Sequence, residues 1–157
     1  MPKLEISAPA PDFTLDDSTG TSVTLSGYRS TSNVLLVFNR GFLWPYCRAH
    51  MAQLRQDYEK FKTANTTVIA VGPDSQKEFA KYWEENSIPF IGLPDPKHSV
   101  LKLYGQEVRL FKLGRMPAQF IIDKAGMMRY VHYGESMSDI PKNDEILKVL
   151  NEINNES

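Results

Sequence analysis

Hydrophobic residues in this chain follow two spacings, one typical of buried strands and one typical of helices. Two nearly uninterrupted runs of β-branched and apolar residues, 34–38 and 66–71, indicate strands buried on both faces of a parallel sheet. Between them, residues 45–64 place apolar side chains at the i, i+3, i+7 and i+10 positions of one helix face. These side chains are Met51, Leu54, Tyr58 and Phe61. The order predicts a β-α-β unit.

Other segments extend this unit in both directions. Residues 74–86 predict a helix capped by Asp74 or Ser75, and residues 89–93 and 99–104 predict a short strand and a brief helix. Residues 118–123 and 127–132 indicate a β-hairpin, and residues 143–154 an amphipathic terminal helix. Residues 13–15 and 23–25 flank the turn-forming segment 16–20, which predicts a small N-terminal hairpin.

Together these elements predict an α/β fold. A β-α-β unit requires a right-handed parallel crossover, whereas the later hairpin adds an antiparallel pair. The central sheet should therefore be mixed, with helices on both faces. We expect a single domain over residues 1–157, with the N-terminal hairpin as an extension.

Composition and charge narrow the classes of function. The formal net charge is −1, so the chain has no basic excess with which to bind nucleic acid or an anionic membrane surface. No apolar run approaches the roughly 20 residues that a membrane helix requires, and the N-terminal residues lack the apolar segment of a secretory signal. One cysteine cannot form an internal disulfide. We therefore expect a cytoplasmic protein.

Cys47 follows the first strand run, at the point where the helix pattern begins. Backbone N–H groups and the helix dipole at such a turn favour the thiolate, which is the nucleophilic form. The alternative is a small buried hydrophobe, the usual state of a lone free cysteine. Trp44 and Pro45 precede the thiol, and Trp44 occupies the first position of a Cys-x-x-Cys redox motif. A lone thiol here could still attack a peroxide or a disulfide.

Four further residues are candidates to support this thiol. Arg40, at the end of the strand run, and Arg115 supply positive charges that would stabilise a thiolate. His50 lies on the same helix face as Cys47, where it either accepts the thiol proton or is a partly exposed histidine without a role. Pro117 either opens the strand that follows it or forms a cis bond that brings a backbone edge close to Cys47. No cluster has zinc spacing and no phosphate-binding loop occurs, so we expect neither metal nor cofactor.

These residues resemble the peroxiredoxin-like branch of the thioredoxin superfamily, the alkyl hydroperoxide reductase/thiol-specific antioxidant group. The resemblance covers nearly the whole chain and rests on residues 10–15, 40–41, 45–48, 94–96, 104–105 and 117–126. It implies a thioredoxin-like fold and makes Cys47 the peroxidatic cysteine, which attacks the peroxide O–O bond and becomes a sulfenic acid. With no second cysteine, it implies a one-cysteine cycle that an external thiol resolves.

The chain also departs from the Pro-x-x-x-Thr-x-x-Cys motif of that group. Arg40 stands at the Pro position and Trp44 at the Thr position, where the group uses a hydroxyl to orient the peroxide. An indole N–H donates a hydrogen bond but cannot accept one. Pro117 stands where the group has its activating Arg, which leaves Arg115 as a displaced substitute, and His50 replaces the usual carboxylate. Pro117 instead matches the cis-proline of thioredoxin-like members.

Three functions stay open at this point. The first is a thiol-dependent peroxidase that reduces hydrogen peroxide or alkyl hydroperoxides. The second is a monothiol thiol–disulfide oxidoreductase, in which Trp44 forms an apolar wall beside Cys47 and Pro117 contacts the substrate backbone. The third is a non-catalytic redox sensor or binding module on the same fold. For the first, the resemblance implies an external reductant of the thioredoxin, glutaredoxin or glutathione type, and it allows a homodimer.

Overall fold

A five-stranded mixed sheet forms the centre of the computed structural model, which describes residues 3–106, 108–109 and 114–156. The strands are β1 (Thr14–Asp16), β2 (Ser22–Thr24), β3 (Asn33–Phe38), β4 (Thr66–Gly72), β5 (Ile91–Pro94), β6 (Val108–Arg109), β7 (Gly114–Arg115), β8 (Ala118–Ile122) and β9 (Met128–Tyr133). The helices are α1 (Pro45–Gln56), α2 (Tyr58–Thr63), α3 (Gln76–Glu85), α4 (Ser99–Leu103) and α5 (Asn143–Asn154).

The strand order of the central sheet is β5-β4-β3-β8-β9. β3 pairs in parallel with β4, where Leu36 is opposite Ile69, and in antiparallel fashion with β8, where Leu36 is opposite Phe120. The parallel half arises from the β-α-β crossover and the antiparallel half from the hairpin β8-β9. The predicted mixed sheet is thus confirmed. The two-residue pair β6-β7 had no counterpart in the sequence pattern.

Helices lie on both faces of the sheet, as expected, but in unequal number. α1, α2, α3 and α5 contribute to one hydrophobic core, into which β3 directs Leu35 and Val37. α4 and the predicted N-terminal hairpin β1-β2 contribute to the opposite core, around Phe38, Phe120 and Tyr104. The segment before the hairpin is held to the turn between β8 and β9 by backbone hydrogen bonds. None of the described helices has the length and apolar composition needed to cross a membrane.

The single helix predicted over residues 45–64 is wrong, because the structure divides it at Asp57 into α1 and α2. A side chain from another part of the chain contacts this junction. The Asn143 amide, at the start of α5, donates hydrogen bonds to the Gln53 carbonyl and to the Asp57 carboxylate at this junction. Phe61 keeps its place in the core on the far side of the break. The apolar spacing therefore still places Phe61 in the core, although the helix is interrupted at Asp57, where Asn143 forms hydrogen bonds.

Substituting Gly92 by Ala should destabilise the fold by about 1–3 kcal/mol. A Cβ atom at this position in β5 would lie 2.5–2.9 Å from three ring atoms of Trp83. That ring cannot move freely, because its indole N–H donates to the Phe90 carbonyl at 2.6 Å. The matched control is Gly27→Ala, where nothing lies within 4 Å of the added carbon. Chemical denaturation of both variants tests the expectation, and equal losses of unfolding free energy would contradict it.

Candidate active site

The Cys47 thiol lies in the first turn of α1, directly after the segment that leaves β3. Pro45 is the first residue of this helix, where its fixed φ and missing N–H are well tolerated. The first turn contains no acidic side chain, so nothing on the helix itself opposes a negative charge there. The sulfur accepts a hydrogen bond from the backbone N–H of Arg40 at 3.2 Å. The structure therefore places the thiol at the strand-to-helix turn that the pattern predicted.

The sulfur is also buried, with 1% of the residue exposed. Burial raises the pKa of the Cys47 thiol above its ordinary value, because a thiolate loses its hydration there. The Arg40 N–H, the Arg40 guanidinium and the Gly41 N–H lower that pKa in part, and the Asp74 carboxylate raises it further. Burial therefore opposes the helix-terminus effect that was expected to favour the thiolate. Donors and a positive charge surround the sulfur, but they do not outweigh its desolvation.

Arg40 and Trp44, both in the segment that leads to Cys47, are in contact with each other. The Arg40 guanidinium lies over the indole ring of Trp44, 4.2 Å from the ring centroid, in cation–π geometry. Arg40 is itself buried, and its positive charge acts on the sulfur electrostatically. Trp44 thus holds the cation that faces Cys47. The catalytic roles expected of Arg40 and Trp44 stay predictions.

Residues 39–44, here called the active-site turn, are fixed by hydrogen bonds from several directions. The side-chain oxygen of Asn39 accepts from the Gly41 N–H at 3.0 Å, and Gly41 has a φ of 126°, which favours glycine. The Gln106 amide donates to the carbonyls of Asn39 and Met116, at 3.2 and 2.9 Å. It therefore links the end of β3 to the segment that enters β8.

The remaining two candidates on the β8 side have different outcomes. The prediction of a cis bond at Pro117 is wrong, since none of the described peptide bonds is cis. Pro117 instead directly precedes β8, as the alternative had it, because the first residue before a strand needs no ladder N–H. The backbone of Arg115 lies in β7, but its side chain is outside the part of the chain that the structure describes. Its proposed charge on Cys47 stays a prediction.

Comparison with known proteins identifies the family. The sequence profile of the AhpC/TSA family matches residues 6–131. The chain belongs to the AhpC/TSA family. It is 33% identical over 153 residues to chloroplastic peroxiredoxin Q of Oryza sativa subsp. japonica, an alignment that covers 94% of this chain and 67% of the rice protein. It is 30% identical over 134 residues to peroxiredoxin Bcp of Bacillus subtilis (strain 168), covering 80% of this chain and 82% of that protein.

The fold of this AhpC/TSA protein has a close counterpart among solved structures. The crystal structure of peroxidoxin BcpB from Mycobacterium tuberculosis superposes with a TM-score of 0.84 and 24% identity, covering 96% of this chain and 98% of that one. The likeness confirms the thioredoxin-like fold that the sequence resemblance implied. The predicted family is likewise confirmed by the profile and by the peroxiredoxin relatives.

His50 in this AhpC/TSA protein lies on the inward face of α1, together with Cys47, Met51 and Leu54. The alternative of a partly exposed histidine is therefore wrong. Its Nε2 atom is buried and has no hydrogen-bond partner among the described residues, and the whole side chain is shielded from solvent. The expected transfer of a proton from the thiol to His50 stays a prediction.

Acid should destabilise the protein through His50. Burial lowers the pKa of His50 to about 4, whereas an unfolded histidine titrates near 6.5. The unfolded chain binds the proton first as pH falls, so the free energy of unfolding should drop by about 3 kcal/mol between about pH 6.5 and pH 4. Urea denaturation of the wild type and His50→Gln across this range measures the effect. The difference between their profiles isolates His50, and parallel profiles would count against the assignment.

Several residues of the site carry no sequence signal that points to Cys47. Asn39, Gln106 and Asp74 hold the active-site turn or its ends, yet each is an ordinary polar residue in a loop or at a strand end. Arg40 is a candidate from its charge alone, whereas Gly41 enters only through the family resemblance. Gly41 could have been singled out, because a glycine between a buried strand and a helix indicates a close backbone approach or a positive φ.

Proposed function

We propose that this AhpC/TSA protein is a thiol peroxidase in which Cys47 reduces hydrogen peroxide or alkyl hydroperoxides. The observation that carries the proposal is the position of the only cysteine. It lies at the N-terminus of α1 and accepts a backbone N–H beside a buried guanidinium. The same groups that lower the pKa of Cys47 would stabilise the negative charge on the attacking sulfur. The named relatives of the chain are peroxiredoxins.

In the oxidative step, the Cys47 sulfur is oxidised by two electrons and the peroxide is reduced. The Cys47 thiol loses its proton, and a sulfur lone pair attacks one oxygen of the peroxide. The O–O bond breaks, the sulfur becomes a sulfenic acid, and the departing oxygen leaves as water or an alcohol after taking up a proton. Because burial raises the pKa of Cys47, less of the thiol is ionised at a given pH than in a free cysteine. We therefore expect the peroxide rate constant to rise with pH.

The reductive step needs thiols from outside the chain, because Cys47 is the only one in it. An external thiol attacks the sulfenic sulfur, releases water and forms a mixed disulfide. A second thiol then displaces Cys47 and leaves as the oxidised disulfide. For the reductant we propose a thioredoxin, a glutaredoxin or glutathione. We also propose that the protein forms a homodimer and that it is cytoplasmic; the rice relative is described as chloroplastic.

Stopped-flow mixing with hydrogen peroxide and with tert-butyl hydroperoxide tests the proposed activity. Trapping the oxidised protein with dimedone should place one adduct on Cys47. The rate constant should exceed that of N-acetylcysteine measured at the same pH and corrected to the same thiolate fraction. A rate no greater than that of the free thiol would exclude peroxidase chemistry and leave the oxidoreductase, sensor or binding roles on the same fold.

The monothiol oxidoreductase loses one of its supports in this structure. That function had Pro117 contact the substrate backbone, and the cis bond that would bring this backbone edge close to Cys47 is not present, since the Pro117 bond is trans. The burial of Cys47 also favours a small substrate over a peptide disulfide. Slow peroxide turnover together with a trapped glutathione adduct would nevertheless identify that activity.

A further inference from the structure

The segment that follows β4 meets the active-site turn through Asp74. The helix-capping role expected of Asp74 or Ser75 belongs to Ser75, whose hydroxyl accepts from the Glu78 N–H at 3.2 Å. The Glu78 carboxylate in turn accepts from the Ser75 N–H at 3.3 Å, which completes a capping box. The carboxylate of Asp74 is therefore not needed to begin α3.

That carboxylate lies instead against the backbone of Gly41 and Phe42. One Asp74 oxygen accepts from the Phe42 N–H at 3.0 Å. A Cβ atom added to Gly41 would lie 3.6 Å from both carboxylate oxygens, which shows how closely Asp74 approaches the turn. The adjoining peptide groups, the N–H of Arg40 and of Gly41, interact with the Cys47 sulfur. A short stretch of backbone therefore joins Asp74 to the thiol.

Aromatic contacts fix the same residue of the turn. The Phe42 ring is stacked on Tyr82, with centroids 4.2 Å apart and planes 8° apart. It also meets Phe79 edge-on at 4.8 Å. Both partners belong to α3, the helix that begins just after Asp74. The ring and the N–H of Phe42 are thus held by the same part of the fold.

We propose that Asp74 is a positioning residue of the site, which holds the active-site turn against Cys47 and places a negative charge beside the sulfur. The proposal rests on the peroxidase function only for its effect on the rate at which Cys47 reacts with peroxide. Its two effects are separable, because the hydrogen bond to Phe42 needs an acceptor oxygen but not a charge. The charge acts against the thiolate, in agreement with the contribution of Asp74 to the raised pKa of Cys47.

Other titratable groups lie near Asp74 and Cys47. Arg40 lies on the turn, and Glu78 and Tyr82 lie on α3. Burial is the main cause that raises the pKa of Asp74, and the Glu78 carboxylate adds to the rise. Glu78 is exposed and makes its hydrogen bonds within its own helix cap. It therefore provides a matched control: Glu78→Gln removes one negative charge from the same segment without touching the turn.

The experiment compares Asp74→Asn, Asp74→Ala and Glu78→Gln in the full chain. The first readout is the pH dependence of Cys47 alkylation by iodoacetamide. Asp74→Asn should lower the pKa of Cys47 and speed alkylation at pH 7 by at least about threefold, whereas Glu78→Gln should change it by less than about twofold. The second readout is hydrogen exchange of the Phe42 amide by NMR. Exchange should be unchanged in Asp74→Asn, which keeps an acceptor oxygen, and at least about tenfold faster in Asp74→Ala.

Two results would overturn the proposal. One is equal alkylation in Asp74→Asn and Glu78→Gln, which would show that the Asp74 charge does not act on the sulfur. The other is unchanged Phe42 exchange in Asp74→Ala, which would show that the hydrogen bond does not hold the turn. Asp74→Asn decides the charge effect even if Asp74→Ala fails to fold. Neither readout uses a peroxide, so failure of the peroxidase proposal would be seen separately in the stopped-flow experiment.

Discussion

Cys47→Ser should lower the rate constant with hydrogen peroxide by at least about a thousandfold, which corresponds to about 4 kcal/mol of activation free energy. A serine hydroxyl in the same place is far less acidic than a thiol and cannot take up the oxygen that the peroxide transfers. The chain offers no second thiol to replace it. Stopped-flow kinetics on the reduced wild type and the variant measure the loss.

The fold should tolerate this substitution. Serine is close to cysteine in size, and its oxygen can accept the Arg40 N–H that the sulfur now accepts. We expect a midpoint of thermal unfolding within a few degrees of the wild type. A well-folded variant that keeps a tenth or more of the peroxide rate would show that Cys47 is not the reacting group.

Phe120→Ala should lower the free energy of unfolding by about 3–5 kcal/mol, the typical cost of removing a buried aromatic ring. Phe120 lies on β8 and is 0% exposed. Its ring meets those of Phe38, Tyr104 and Tyr133, each with a centroid separation of 5.4 Å. These contacts join β3, β8, β9 and the segment after α4, so the resulting cavity would lie where several elements meet.

The matched control for Phe120 is Ile6→Ala. Ile6 is a large apolar residue of the N-terminal segment that is 58% exposed, so its truncation should change the free energy of unfolding by less than about 0.5 kcal/mol. Guanidinium denaturation of both variants, with equal m-values, gives the comparison. A loss below about 1 kcal/mol for Phe120→Ala would indicate that the rings around it close the gap or were not packed against it.

Local patterns were sufficient for the elements that surround the site. The run at residues 34–38 and the spacing in residues 143–154 predicted β3 and α5 almost to the residue. Burial on both faces and a one-sided apolar face are properties that each segment carries by itself. The position of Cys47 followed in the same way, because a strand that runs into a helix defines the turn between them.

The long-range contacts of the fold could not be predicted from local sequence patterns. At the break after α1, the Asp57 carboxylate accepts a hydrogen bond from Asn143, 86 residues further along the chain. The hydrogen bond from the Phe42 N–H to Asp74 joins the loops that follow β3 and β4. Only the parallel pairing of these two strands brings the loops together. The raised pKa of Cys47 has the same kind of origin. The helix N-terminus is visible in the sequence, but the burial that outweighs it results from tertiary packing.

Having a single thiol also determines how the protein responds to excess oxidant. The sulfenic acid of Cys47 has no second thiol in the chain with which to condense. Its reduction therefore depends on the diffusion of an external thiol to the site. A second hydroperoxide that arrives first would convert it to a sulfinic acid, a state that ordinary thiols do not reverse. The inactivated fraction would then depend on the ratio of oxidant to reductant during an oxidative pulse, and each protein molecule would keep a lasting chemical mark of that imbalance.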